Sequence, residues 1–180
     1  MSMVVGHHGE IIKLISKFKI MTIKNSLKLF LSDVDGVLTD GSMYYSEMGD
    51  EMKRFNTYDG MAFELIRNQG IKTGIITSEK TQLVKRRADK LNVDYLFQGK
   101  KNQDKLKVVL NICKTEGFNI NEVAYIGDDI NCKELLEAVG FKACPLNARP
   151  EIKLISGINV LKTNGGSGAV REWAELLLKN

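Results

Sequence analysis

Two acidic clusters stand out as groups that could do chemistry. Asp33 and Asp35 flank Val34 and precede Gly36; Asp128 and Asp129 follow Gly127. Each cluster comes after an apolar run, Lys-Leu-Phe-Leu-Ser-Asp over 28–33 and Glu-Val-Ala-Tyr-Ile-Gly over 122–127. Short runs of this kind read as buried strands. A third run, 71–77, ends in Thr77, and Lys105 sits on a helical pattern further along. In an open sheet flanked by helices, ligands bind beyond the carboxyl ends of the strands. Asp33, Asp35, Asp128, Thr77 and Lys105 are therefore expected to converge on one crevice. Hard carboxylate oxygens suit Mg²⁺. A lysine and a metal would neutralise phosphate charge while a carboxylate attacks in line. The set points to phosphoryl transfer, with Asp33 and Asp35 dividing the work as nucleophile and general acid–base.

Each residue also has a plainer explanation. A lone Asp-x-Asp at a strand end is commonly a turn or a helix cap. Thr77 could begin a helix, and Lys105 could be a solvated helix residue. Two acidic clusters in order on successive strand ends are hard to explain by turn chemistry alone.

The elements that must position these groups alternate along the chain. Strand-like runs at 28–33, 71–77, 94–98 and 122–127 are followed by shorter ones at 141–144 and 158–161. Helical spacing appears between and after them. Val84, Ala88 and Leu91 share a face, as do Leu106, Val109, Leu110 and Cys113, and Val170, Trp173, Ala174 and Leu177. The alternation predicts an α/β fold, a Rossmann-like parallel sheet with helices on both faces. One segment departs from it. Residues 41–56 read as a β-hairpin inserted after the first strand, Ser42–Tyr45 and Met52–Phe55 around a turn at Glu47–Asp50.

Bulk properties narrow the function classes. A chain of 180 residues suits one domain with a sizeable core. Net charge is +4 with the signs interspersed, which fits a small anionic substrate and argues against nucleic acid. No apolar run reaches the ~20 residues of a membrane span. The only histidines, His7 and His8, lie near the start, so a histidine-based triad is excluded from the domain. Cys113, Cys132 and Cys144 have neither zinc-site nor disulfide spacing, as expected of a reducing, cytoplasmic setting. Residues 1–20, with Lys13 and Lys17 breaking the apolar pattern of Ile11, Ile12, Leu14, Ile15 and Phe18, read as an extension rather than a signal peptide. Residues 21–180 read as the single domain.

The motifs resemble those of the haloacid dehalogenase superfamily. Asp33-Val34-Asp35-Gly36-Val37-Leu38-Thr39-Asp40 is similar to its first motif, Ile75-Ile76-Thr77 to its second, Lys105 to its third and Gly127-Asp128-Asp129 to its fourth. Phe55-Asn56-Thr57-Tyr58-Asp59-Gly60, Phe97-Gln98-Gly99 and the closing Gly165-Gly166-Ser167-Gly168-Ala169-Val170-Arg171-Glu172 resemble its capless subgroup. That subgroup holds the 3-deoxy-D-manno-octulosonate 8-phosphate (Kdo-8-phosphate) phosphatases and the nonulosonate 9-phosphate phosphatases, as well as C-terminal domains of some acylneuraminate cytidylyltransferases.

The resemblance implies a Mg²⁺-dependent phosphatase without a large cap domain. It assigns Asp33 as nucleophile and metal ligand. Asp35 would bind the metal through its carbonyl and serve as general acid, then base. Asp128 would complete the protein ligands, with Asp129 supporting that loop. Thr77 and Lys105 would hold phosphoryl oxygens. It also implies a homotetramer with hairpin contacts, in which Gly165–Arg171 of one subunit closes a neighbour's site. Ser78, Glu79, Lys90, Gly166 and Arg171 then become substrate-binding candidates. Thr77-Ser78-Glu79-Lys80-Thr81 is closer to the nonulosonate enzymes; the octulosonate enzymes more often carry Gly-Arg after the threonine. A Glu79–Lys90 pair would contact the nine-carbon sugar acid.

Two departures bear on competence. Cys132 stands where the family's Gly-Asp-Asp-x-Asn-Asp ends in aspartate. The segment Gln98–Asp104 is about two residues longer than usual before Lys105, which brings in Lys100 and Lys101 as alternatives. These departures motivate a second reading, a catalytically weakened assembly module beside an acylneuraminate cytidylyltransferase. A phosphorylation-receiver domain shares the acids, Thr and Lys, but not the hairpin or the glycine-rich tail.

Overall fold

The computed structural model describes residues 26–49, 51–100 and 103–179. The expected extension at 1–20 and His7 and His8 lie outside the described residues, as does Lys101. Strand β1 (Leu29–Ser32) is followed by a small hairpin, β2 (Tyr44–Tyr45) and β3 (Glu51–Met52), and then by α1 (Thr57–Arg67). Next come β4 (Lys72–Ile76), α2 (Gln82–Leu91), β5 (Tyr95–Phe97) and α3 (Gln103–Glu116). The chain continues through β6 (Val123–Ile126), α4 (Lys133–Ala138), β7 (Phe141–Cys144), α5 (Pro150–Lys153), β8 (Asn159–Val160) and α6 (Ala169–Leu178).

Six strands form one sheet in the order β5-β4-β1-β6-β7-β8, with every pairing parallel. β1 is central and all four of its residues are buried, because a strand flanked on both sides and covered on both faces has no solvent side. Its side chains alternate between two cores. Phe30 packs with Phe63 of α1, Val84 of α2 and Trp173 of α6. Leu29 and Leu31 pack with Val109 of α3, Leu135 of α4 and Ile152 of α5. The period-two alternation of a strand thus divides the helices between the faces, as expected from sequence.

One expectation changes. The hairpin is shorter than Ser42–Tyr45 against Met52–Phe55: only Tyr44 pairs with Met52 and Tyr45 with Glu51. Pairing stops there because Lys53 and Arg54 turn onto the loop after β1, where they meet Asp35 and Asp40. Helix α1 is an element that apolar spacing did not mark, since its pattern is interrupted. Ala62, Phe63 and Ile66 face the core, but so does Asp59. Asp59 is buried because its Oδ1 accepts from the Arg171 amide at 3.2 Å, capping α6 from across the core. The helix's own N-cap, Gly168 at φ +105°, has no side chain to do so. Burial raises the Asp59 carboxyl to about 6 against the pull of the Arg171, Val170 and Gly168 amides.

Candidate active site

The loop leaving β1 is one tight turn: the amides of Val37, Leu38 and Thr39 all point to the Val34 carbonyl, at 3.2, 2.8 and 3.0 Å. This turn aims Asp33 into a crevice of about 260 Å³ at the carboxyl ends of β1, β4 and β6. Asp33 Oδ1 accepts from the Val34 amide at 2.8 Å. Its Oδ2 lies 2.6 Å from Lys105 Nζ and 2.7 Å from Cys132 Sγ.

Glycine is required where this loop meets its neighbours. Gly36 has φ +78°, and a Cβ there would come within 1.9 Å of Asp128 Oδ2. A Cβ on Gly165 would stand 1.8 Å from the Gly36 carbonyl oxygen. The Gly166 amide donates to the Val37 carbonyl at 2.9 Å, and Asn56 Nδ2 donates to the Gly166 carbonyl at 3.3 Å. Asn147 Oδ1 accepts from the Gly165 amide at 2.8 Å. The glycine-rich tail therefore braces the Asp33 loop of its own chain. Arg171 lies within α6, where its Nε contacts Glu175 Oε1 at 2.6 Å.

Asp33, Asp35, Thr77, Ser78, Asp128 and Asp129 all line the crevice. Thr77 is buried; its Oγ1 accepts from the Glu79 amide at 3.2 Å. Ser78 Oγ donates to the Lys100 carbonyl and accepts from Asn131 Nδ2 at 3.0 Å. Asp129 Oδ1 accepts from the Ile130 amide at 2.7 Å and so caps the turn that presents Asp128. Lys105 sits behind Asp33 with its side chain 0 % exposed. The longer loop before it still delivers the amine to Asp33, so Lys105, not Lys100, is the lysine that meets this carboxylate.

Glu79 follows β4 and its carbonyl accepts from the Gly99 amide. Lys90 is exposed in the last turn of α2, about 12 Å of helical rise beyond Gln82. Neither lines the crevice.

The donor set fits a hard divalent cation. Ligand atoms of Asp33, Asp128 and Cys132 lie within 4.8 Å of one another. Asp128 is pushed up to about 7, first by burial and then by the charges of Asp33 and Asp129. Clustered, partly desolvated carboxylates of this kind are relieved by a cation. Cys132 does not belong to that set. Burial, then the Asp33 charge, pushes its thiol far up, so it stays protonated and donates to Asp33.

Sequence reasoning missed Lys53, whose Nζ lies 2.7 Å from Asp35 Oδ1. It also missed Asp40, Asn131 and Asn147 on the crevice wall. Nothing in the spacing of a lysine on an exposed hairpin marks it; only the fold of the insert back onto the Asp33 loop does. Asn131 was accessible through its place two residues after Asp129.

Comparison with known proteins agrees with this geometry. Residues 10–142 match the family described as haloacid dehalogenase-like hydrolase. A 3-deoxy-D-manno-octulosonate 8-phosphate phosphatase of Yersinia pestis is 35% identical over 85% of this chain and 80% of its own. The crystal structure of a phosphatase of that name from Moraxella catarrhalis, in complex with magnesium, phosphate and KDO, superposes with a TM-score of 0.82 at 35% identity, covering 89% of this chain and 91% of the other. A probable YrbI-family phosphatase from Pseudomonas syringae pv. phaseolica gives 0.82 at 38% identity, over 88% and 89% of the two chains.

Proposed function

The chain belongs to the haloacid dehalogenase-like hydrolase family, and on that premise we propose a Mg²⁺-dependent phosphatase that removes the terminal phosphate of a 3-deoxy-2-ulosonic acid phosphate. Kdo-8-phosphate is the substrate that the named relatives favour; a nonulosonate 9-phosphate is the alternative that Thr77-Ser78-Glu79 favours. One observation carries the reading: Asp33 is held by Lys105 at 2.6 Å in a crevice shared with Asp35, Thr77 and Asp128.

The chemistry follows from these side chains. An Asp33 carboxylate oxygen forms a bond to phosphorus as the ester P–O bond breaks. The departing alkoxide takes a proton from the Asp35 carboxyl, leaving an aspartyl phosphate and the free alcohol. Water then attacks phosphorus and gives its proton to Asp35, releasing inorganic phosphate and restoring Asp33. Lys105 and Thr77 offset the charge on the phosphoryl oxygens. Asp33, Asp128 and the backbone carbonyl of Asp35 would hold Mg²⁺, which supplies charge neutralisation at the phosphoryl group when bound.

The exposed hairpin side chains Tyr44, Tyr45, Met48 and Met52 support self-association, with a homotetramer as the expected state in solution. No helix among the described residues is long and apolar enough to cross a membrane.

The test is phosphate release by the purified protein with Mg²⁺, comparing Kdo-8-phosphate with nonulosonate 9-phosphates. Turnover of one class with little of the other names the substrate. A folded protein that turns over no sugar phosphate would sink the proposal and favour the assembly-module reading.

A further inference from the structure

We infer that Lys53 is a positioning residue that holds Asp35 for proton transfer. The inference rests on the proposed role of Asp35 as general acid–base. It starts from an oddity of the hairpin, which is otherwise open to solvent: Tyr45 is 68% exposed, Met48 89% and Met52 64%. The Lys53 side chain, directly after β3, is 0 % exposed, and its Nζ reaches Asp35 Oδ1 at 2.7 Å. Glu51 Oε1 lies 3.6 Å from the same amine, buried and without a hydrogen bond of its own.

Lysine is rarely withdrawn from water unless it is paired, and fixing its long stem costs rotamer freedom. The next residue gives the contrast. Arg54 also bridges to the loop, at 3.0 Å from Asp40, but is 61% exposed. That pair is the ordinary surface kind, which contributes little. Lys53 has instead been folded inward onto one carboxylate oxygen. The two aspartates of Asp-x-Asp are thereby treated alike. Lys105 from α3 holds Asp33, and Lys53 from the hairpin holds Asp35. Fixing Oδ1 of Asp35 sets the rotamer and leaves the other oxygen to carry the proton. The insert after β1 thus orients the acid–base group of a fold that has no cap domain over it.

The experiment compares kcat/KM for an alkyl substrate, Kdo-8-phosphate or the sugar-acid phosphate identified above, with that for p-nitrophenyl phosphate. kcat/KM reports the steps through phosphorylation of Asp33, and the aryl leaving group departs without a proton. Lys53→Met is expected to lower the alkyl value about 10-fold or more beyond any loss in the aryl value. Lys53→Arg, which keeps the charge, should hold the ratio within about 3-fold of the unmodified protein. The alkyl-to-aryl ratio does not depend on the fraction of protein folded, and Lys53→Gln gives a second reading should Lys53→Met fold poorly. Equal losses on both substrates, or none, would make Lys53 merely structural and overturn the inference. An unmodified protein that turns over neither phosphate would overturn the proposed function itself.

Discussion

The thiol of Cys132 donates to Asp33 Oδ2 across 2.7 Å, while Lys105 Nζ and the Tyr125 hydroxyl approach the same sulfur at 3.3 and 3.1 Å. What looks in sequence like a lost carboxylate is a buried donor to Asp33. The site thereby avoids placing another negative charge next to Asp33 and leaves Lys105 paired with Asp33. The departure at Cys132 is compatible with a working site.

Substitution at Cys132 should follow donor capacity. Cys132→Ser keeps a small donor and is expected to hold kcat within about 3-fold. Cys132→Val, of similar size with no donor, should lower kcat by about 10-fold, equivalent to ~1.4 kcal/mol. Steady-state kinetics of the two variants side by side checks this. Full activity in Cys132→Val would make the contact incidental.

Removal of the Asp33 carboxylate should be far more severe. Asp33→Asn is expected to abolish turnover, by roughly 1000-fold or more, with the circular dichroism spectrum unchanged. Chelation of divalent cations should do the same reversibly, with activity returning on addition of Mg²⁺. Persistent turnover in Asp33→Asn would take Asp33 out of the nucleophile role.

The glycine contacts predict sensitivity without any change of charge. Gly165→Ala would force a methyl to within 1.8 Å of the Gly36 carbonyl oxygen, and backbone cannot swing aside as a flexible side chain does. A loss of about 1–3 kcal/mol in unfolding free energy is expected, together with lower turnover because the Asp33 loop must shift. Gly157→Ala, at a position where a Cβ meets nothing within 4 Å, is the control for turnover: it should leave activity unchanged at some cost from its positive φ.

Asp59 predicts a pH-dependent stability of definite sign. Its carboxyl is raised from 3.8 to about 6 by burial, so between those values the folded chain binds more of this proton than the unfolded chain. The contribution is fully present below pH ~4 and is lost as pH rises through ~6, on the order of 3 kcal/mol. Asp59→Asn keeps the oxygen that caps α6 and removes the charge. The difference in unfolding free energy between Asp59→Asn and the unmodified protein should therefore grow in favour of the variant from pH 4 to pH 6. Parallel curves over that range would contradict the assignment.

Much of this protein is legible in its sequence because the signals are local. An apolar run ending in Asp, Thr or Gly-Asp specifies both a strand and the group at its carboxyl end, and parallel pairing of those strands brings Asp33, Thr77 and Asp128 to one crevice. Helical spacing likewise marked the core faces of α2 and α6; on α3 it marked Val109 and Cys113 but also Leu110, which is exposed and stands outside the core. Helix α1 escaped because Asp59 on its buried face satisfies a helix end 112 residues away in sequence. Lys53, Cys132 and Gly165 acquire their roles from contacts of the same kind, between segments whose separation along the chain says nothing about their distance in space. Residue type and local period decide which chemistry is available; burial, charge compensation and close backbone approach exist only once the chain has folded, and they decide which groups hold that chemistry in place.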